Sequence, residues 1–324
     1  MTRNYRILDG KLSESGGPES NVLLYVNPDD AERRVLVQEL KIDEHTLTSA
    51  LDPDELSRLE FEPDHAALII NRPRNYSSRD EFFFTVSSMG LFLFKDKMVI
   101  VAQEELMSLE SHQLKRITSL PDLLLKVLFR TTLHYLEHLK VMNSIADALE
   151  DKIQKSMENR ALINLFTLEK SLVYYMNSIH SNGVAIERVK ANAGRLGFTP
   201  ENLEYLDDLI IENSQCFRQA EIYSNIFASL MDARVSVVNN NISVLMKTLN
   251  IITISIMVPT FVVSVFSMNV GIPLASRGWA FWAILGLAVV TSGGVALVWR
   301  ARGRTREKVR RRLPRQRPQG VTPQ

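Results

Sequence analysis

The chain has 324 residues, 45% hydrophobic and 23% charged, with a formal charge of +1, a globular composition with room for one or two domains. Its single cysteine, Cys216, cannot form an internal disulfide, which excludes a scaffold stapled by disulfides. Charge is spread unevenly: residues 300–324 hold ten Lys or Arg against one acid, Glu307, a net of +9, which leaves −8 on residues 1–299.

Met1–Leu12 is polar and charged and lacks the apolar stretch of a secretory signal, so any membrane insertion must come from later segments. Residues 1–110 read as a small α/β domain. Short runs rich in Val, Ile, Leu and Phe predict strands at Val22–Val26, Ala67–Asn71, Phe82–Ser87, Gly90–Phe94 and Met98–Ala102. Helices are predicted over Asp29–Leu40, capped by Asp29 or Asp30, and over Asp43–Leu51. Lys95-Asp96-Lys97 reads as the turn of a hairpin.

Residues 111–199 predict a helical part of the same domain. Ser119 can cap, Pro121 suits a first turn, and Leu124, Leu125, Leu128, Leu136 and Leu139 form an apolar stripe. The helical pattern continues to about Asn192, and Gly194 and Gly197 break it. Thr199-Pro200 opens a new helix, and no Gly or Pro follows between Glu201 and Val258. Residues 200–245 therefore predict a stalk helix continuous with a membrane span, a rod of roughly 100 Å if it reaches Phe266. Its two seven-residue series are Leu203, Ile210, Phe217, Ser224, Met231, Val238 and Leu206, Asn213, Ala220, Phe227, Arg234. They predict an imperfect coiled-coil seam between copies, with packing against the chain's own domain as the alternative.

Two uncharged runs follow, Thr248–Ser276 and Gly278–Trp299. They predict a first transmembrane helix over 246–266 and a second over 279–299, joined by an outer loop over 267–278. Trp279 and Trp299 read as interfacial anchors. The basic tail, 300–324, is expected to stay in the cytoplasm as a topology signal rather than to bind nucleic acid, and two spans then return the N-terminal body to the same side.

In the first span Met246, Asn250, Thr253, Met257, Thr260 and Ser264 fall on one line at steps of three and four. A polar stripe on a membrane helix must face other helices or water. It fits a pore wall touching a cation that keeps its water shell, and it fits ordinary helix packing equally well. Two spans cannot enclose a channel, so a pore requires several copies around an axis.

At the end of the first span stands Phe266-Ser267-Met268-Asn269-Val270-Gly271-Ile272-Pro273. This segment resembles the CorA family of magnesium transporters, whose signature is G-M-N after the first of two C-terminal helices; Ser267 stands where the signature has glycine. Met246-Lys247, Ile251–Ile254 and Pro259-Thr260 resemble the family's first membrane helix, and Leu51–Glu55 and Met98–Val101 its cytoplasmic domain. The resemblance implies an α/β cytoplasmic domain, a helical bundle with a long stalk helix, and two C-terminal transmembrane helices, assembled as a funnel-shaped homopentamer in the cell membrane. It implies a channel for Mg²⁺, with Co²⁺ and Ni²⁺ as further substrates, an ion-selectivity motif at Ser267, Met268 and Asn269, and regulation by Mg²⁺ bound at acidic residues that include the stalk, where Asp207 and Asp208 match. Members of the wider superfamily carry Zn²⁺, so a Zn²⁺, Co²⁺ or Ni²⁺ transporter stays open, as does a non-conducting metal sensor anchored in the membrane. No covalently bound cofactor and no enzymatic activity are expected.

Three other features carry less. His134-Tyr-Leu-Glu137-His138 matches the H-x-x-E-H pattern of zinc proteases, but a five-residue match is cheap. Asn239-Asn240-Asn241 reads as helix surface near the membrane or as the inner mouth of a pore. Cys216 reads as packing.

Overall fold

A computed structural model describes residues 2–15, 20–76, 82–106, 116–155, 159–267, 277–279, 281–294 and 297. The chain divides into two compact units, Met1–Ala233 and Arg234–Gln324.

The first unit is built on a seven-stranded mixed sheet of order β2-β1-β3-β7-β6-β5-β4, from β1 (Thr2–Leu8), β2 (Lys11–Glu14), β3 (Val22–Val26), β4 (Arg58–Phe61), β5 (His65–Pro73), β6 (Val86–Phe94) and β7 (Met98–Ala102). All neighbouring strands run antiparallel except β3 and β7. One face is covered by α1 (Asp30–Arg34), a π-helical turn (Val35–Glu39) and α2 (Glu44–Ser49), which bury Leu36, Ile42, Leu47 and Ala50 against Phe92, Val99 and Val101. The other receives α3 (Leu120–Lys155) and α4 (Asn159–Ala191): Leu124, Leu128, Ile186 and Val189 pack on Leu68, Ile70, Leu91 and Ile100. The central strands are therefore apolar on both faces and lack the alternation of a half-exposed sheet.

Local chemistry explains the starts of these elements. Asp29 caps α1 in a full capping box with Glu32, and Asp43 caps α2 through the Thr46 N–H at 3.0 Å. The Phe94 N–H donates to the Lys97 carbonyl at 2.9 Å and closes the β6–β7 hairpin. Where two strands were expected around Met89-Gly90, β6 is a single strand. Gly90 sits under α2, and a Cβ there would meet the Ala50 Cβ at 2.7 Å and the Phe92 ring at 2.8 Å, so this glycine serves close approach and not chain breaking. Strands β1, β2 and β4 were not expected, because their residues are largely polar. The helix expected over Asp29–Leu40 changes to the π-helical turn after Arg34.

Asn182 of α4 ties the helical layer to the sheet. Its Oδ1 accepts from the Asn71 N–H (2.9 Å) and the Ser57 hydroxyl (2.7 Å), and its Nδ2 donates to the Asn71 carbonyl at 2.7 Å. Thr199 and Asn202 cap each other's backbone at the start of α5 (Pro200–Phe266), and the preceding turn passes through Gly197 at φ +74°.

The uninterrupted helix expected from Pro200 is present, but its second seven-residue series has a different role from the one expected. Leu206, Asn213, Ala220 and Phe227, with Leu209 and Cys216, are buried inside the chain's own first unit. There they complete the apolar faces that Tyr135, Leu139 and Met142 of α3 and Leu168, Leu172 and Tyr175 of α4 leave open. A hairpin of two amphipathic helices needs a third surface, and this face of α5 supplies it. The Cys216 thiol is fully buried, 4.0 Å from the Thr132 carbonyl, and burial pushes its pKa up to about 12.

Candidate functional site

In the second unit, α5 carries the apolar segment. It is the one helix among the described residues that is long and apolar enough to cross a membrane. A shorter apolar helix, α6 (Phe281–Gly294), packs beside it: Ala288 is buried, and Ile284, Thr291 and Ser292 on the same face are half-buried. The matching face of α5 is Ile251, Ser255, Val258, Pro259 and Val262, all half-buried and spaced at helical repeats.

The polar line lies on the far side of α5. Met246, Asn250, Thr253, Met257, Thr260 and Ser264 are all exposed, and at 3.6 residues per turn they sit roughly opposite the face that meets α6. Two of the hydroxyls are already committed. Thr253 donates to the Leu249 carbonyl at 2.9 Å and Thr260 to the Ile256 carbonyl at 2.7 Å. A threonine that has spent its proton on its own helix presents only oxygen lone pairs outward, so Thr253 and Thr260 put acceptors on this line. On one flank, Thr260 and Ser264 also border a crevice of about 730 Å³ with Pro259, Leu285, Val289 and Gly293.

Ser267 ends the helix in a turn, its N–H donating to the Ser264 carbonyl at 3.1 Å. It is not among the non-glycine residues with positive φ, so serine sits there without left-handed backbone strain. Met268 and Asn269 lie outside the described residues, as do 270–276 of the outer loop, residues 280, 295, 296, 298 and 299 of the second expected span, and the basic tail.

The acidic pair expected to regulate is on α5 in the first unit. Asp207 and Asp208 are both exposed, and Asp207 forms an ion pair with Lys190 of α4 at 2.7 Å. No group of three or more His, Cys, Asp or Glu able to hold a metal ion occurs within the chain among the described residues.

The H-x-x-E-H segment of α3 forms a packed polar cluster. His138 Nδ1 lies 2.7 Å from the Tyr175 hydroxyl, and its ring meets that of His134 at 4.4 Å. The Glu137 carboxylate is held by Arg130 at 2.8 and 3.3 Å. Burial pushes both histidines down to about 4, helped by the Arg72 guanidinium at His134 and by His134 at His138. These are neutral, half-buried histidines, and the glutamate that a protease would use as base is held by Arg130. Reading the five-residue pattern alone could not reveal these partners.

A family model described as CorA-like Mg2+ transporter protein matches residues 23–300. No curated protein matches. Among solved structures, the complete CorA magnesium transporter from Methanocaldococcus jannaschii is similar with a TM-score of 0.78 at 22% identity, covering 92% of this chain and 96% of that one. The full-length CmaX protein is similar with a TM-score of 0.65 at 17% identity, covering 94% and 97%. The cytoplasmic domain of ZntB from Vibrio parahaemolyticus is similar with a TM-score of 0.57 at 12% identity, covering 74% and 98%.

Proposed function

This chain belongs to the CorA-like Mg2+ transporter family, and from that premise we propose that it is a passive pathway for hydrated divalent cations across the cell membrane, with Mg²⁺ as its leading cargo. The observation that carries the reading is the exposed, uncharged polar line on α5, with outward acceptors at Thr253 and Thr260. A hydrated cation turns its water oxygens inward and their hydrogens outward, so it is met by lone pairs and not by donors. Thr253 and Thr260 offer such lone pairs, Asn250 adds a carboxamide, and none of the six positions bears a charge that would trap the ion.

One copy cannot surround an ion, so the pathway requires a ring of copies, by family likeness five, with α5 inward and α6 outward. The exposure of the whole polar line in a single chain supports a partner on that side. Asn269 would form the outer ring, and Asp207 and Asp208 would bind a regulatory Mg²⁺ between copies.

The test is flux into liposomes holding the purified protein, comparing Mg²⁺, Co²⁺, Ni²⁺ and Zn²⁺. Saturable Mg²⁺ flux is expected, reduced about tenfold or more in the double variant Thr253→Val, Thr260→Val, which keeps shape and removes acceptors. Preference for Zn²⁺ would reassign the cargo, and absence of any flux would leave a membrane-anchored sensor.

The charge layout supports a topology with both termini in the cytoplasm, since a +9 segment directly after an apolar run resists translocation. Protease added outside intact cells should cut only within residues 267–278; cleavage in the tail would overturn this orientation.

A further inference from the structure

The apolar segment of α5 contains Pro259. Proline has no N–H, so the carbonyl four residues earlier, on Ser255, loses its helical donor, and the proline ring crowds it as well. In hydrocarbon no water can take over, and an orphaned carbonyl there costs several kcal/mol. A donor faces it from the other helix: the Ser292 hydroxyl of α6 makes a long hydrogen bond to the Ser255 carbonyl, at 3.5 Å. Buried Ala288, one turn earlier on α6, is small enough to let the helices approach. Neighbouring Thr291 cannot substitute, because its hydroxyl is spent on the Leu287 and Ala288 carbonyls of its own helix, each at 3.0 Å.

We propose that Ser292 is a positioning residue for the ion pathway: its hydroxyl replaces the hydrogen bond that Pro259 removes, and so fixes which face α5 turns toward α6. Ser255 and Pro259 share that face, and the polar line is on the opposite one. Rotation of α5 at this joint would carry Thr253, Met257 and Thr260 off the axis together. Only the transport consequence rests on the function proposed above; the joint itself does not.

The experiment crosses Ser292→Ala with Pro259→Ala in the full chain. Alanine at 259 restores an N–H for the Ser255 carbonyl and makes the serine dispensable. In the native background, Ser292→Ala is expected to lower the unfolding midpoint in detergent by about 1.5 °C, the shift for losing one modest hydrogen bond in a chain of this size. It should also cut maximal flux several-fold with an unchanged KM. In the Pro259→Ala background the same change should do neither, and Ser292→Thr, which keeps a hydroxyl, should behave as native. Equal loss in both backgrounds, no loss in the native one, or failure of threonine to rescue would overturn the proposal. The midpoints decide it even if the protein conducts nothing, so a failed joint and a failed transport reading give different results.

Discussion

Asn269→Ala is expected to reduce Mg²⁺ flux by about a hundredfold or more while the protein still folds and assembles. On the function proposed above, the Asn269 carboxamide oxygen would accept a hydrogen bond from the water shell of the arriving ion, at roughly 1 kcal/mol of net stabilisation per acceptor. In an assembly every copy loses that acceptor at once, so a modest term is multiplied around the ring. Asn269→Asp separates dipole from charge: a full negative charge per copy should lower KM and slow release, giving tighter but slower transport. Ser267→Gly should change little, since Ser267 shows no positive φ for a glycine to relieve. Flux assays on the three variants decide this, and undiminished transport by Asn269→Ala would remove the residue from the pathway.

Acidification should destabilise the first unit through His134 and His138. Both have folded pKa values pushed down to about 4 by burial, against about 6.5 in an unfolded chain. Between these values the unfolded chain binds the protons and the folded one does not. The stability they contribute is therefore complete above pH 6.5 and lost as pH falls toward 4, on the order of 3 kcal/mol for each. Buried His65 shifts the same way. Denaturation midpoints of the full chain at pH 7 and pH 5 should differ, and the double variant His134→Gln, His138→Gln should flatten most of that difference. An undiminished pH dependence in the double variant would place the effect elsewhere.

What could be read from the residues was what short-range chemistry dictates. Asp29, Asp43 and Thr199-Pro200 announce helix starts because their side chains have one obvious backbone partner, and Lys95–Lys97 announces a turn between two apolar runs. Long uncharged segments and a basic tail need no tertiary information either. Three things did depend on it. β1 and β4 form from polar residues because neighbouring strands supply their hydrogen bonds. Gly90 looks like a break and is a point of contact with Ala50. The Leu206-to-Phe227 face of α5 has a period that suits any apolar partner, and only the open side of the α3–α4 pair shows which partner takes it. Likewise, the polar line on α5 was visible as a stripe, whereas Ser292 carried no signal: its role exists only because Pro259 lies across from it.

Cys216 has a practical consequence. At pH 7 a thiol with a pKa near 12 is ionised in only about one molecule in 10⁵, and only the thiolate reacts. With no solvent path to the sulfur either, the native chain is silent toward maleimides and methanethiosulfonates. A spin label or fluorophore attached at a single engineered cysteine anywhere on the surface would therefore be the sole reporter on that chain, and distances between such labels in neighbouring copies could count the subunits and follow their movements without first stripping the protein of its own cysteine.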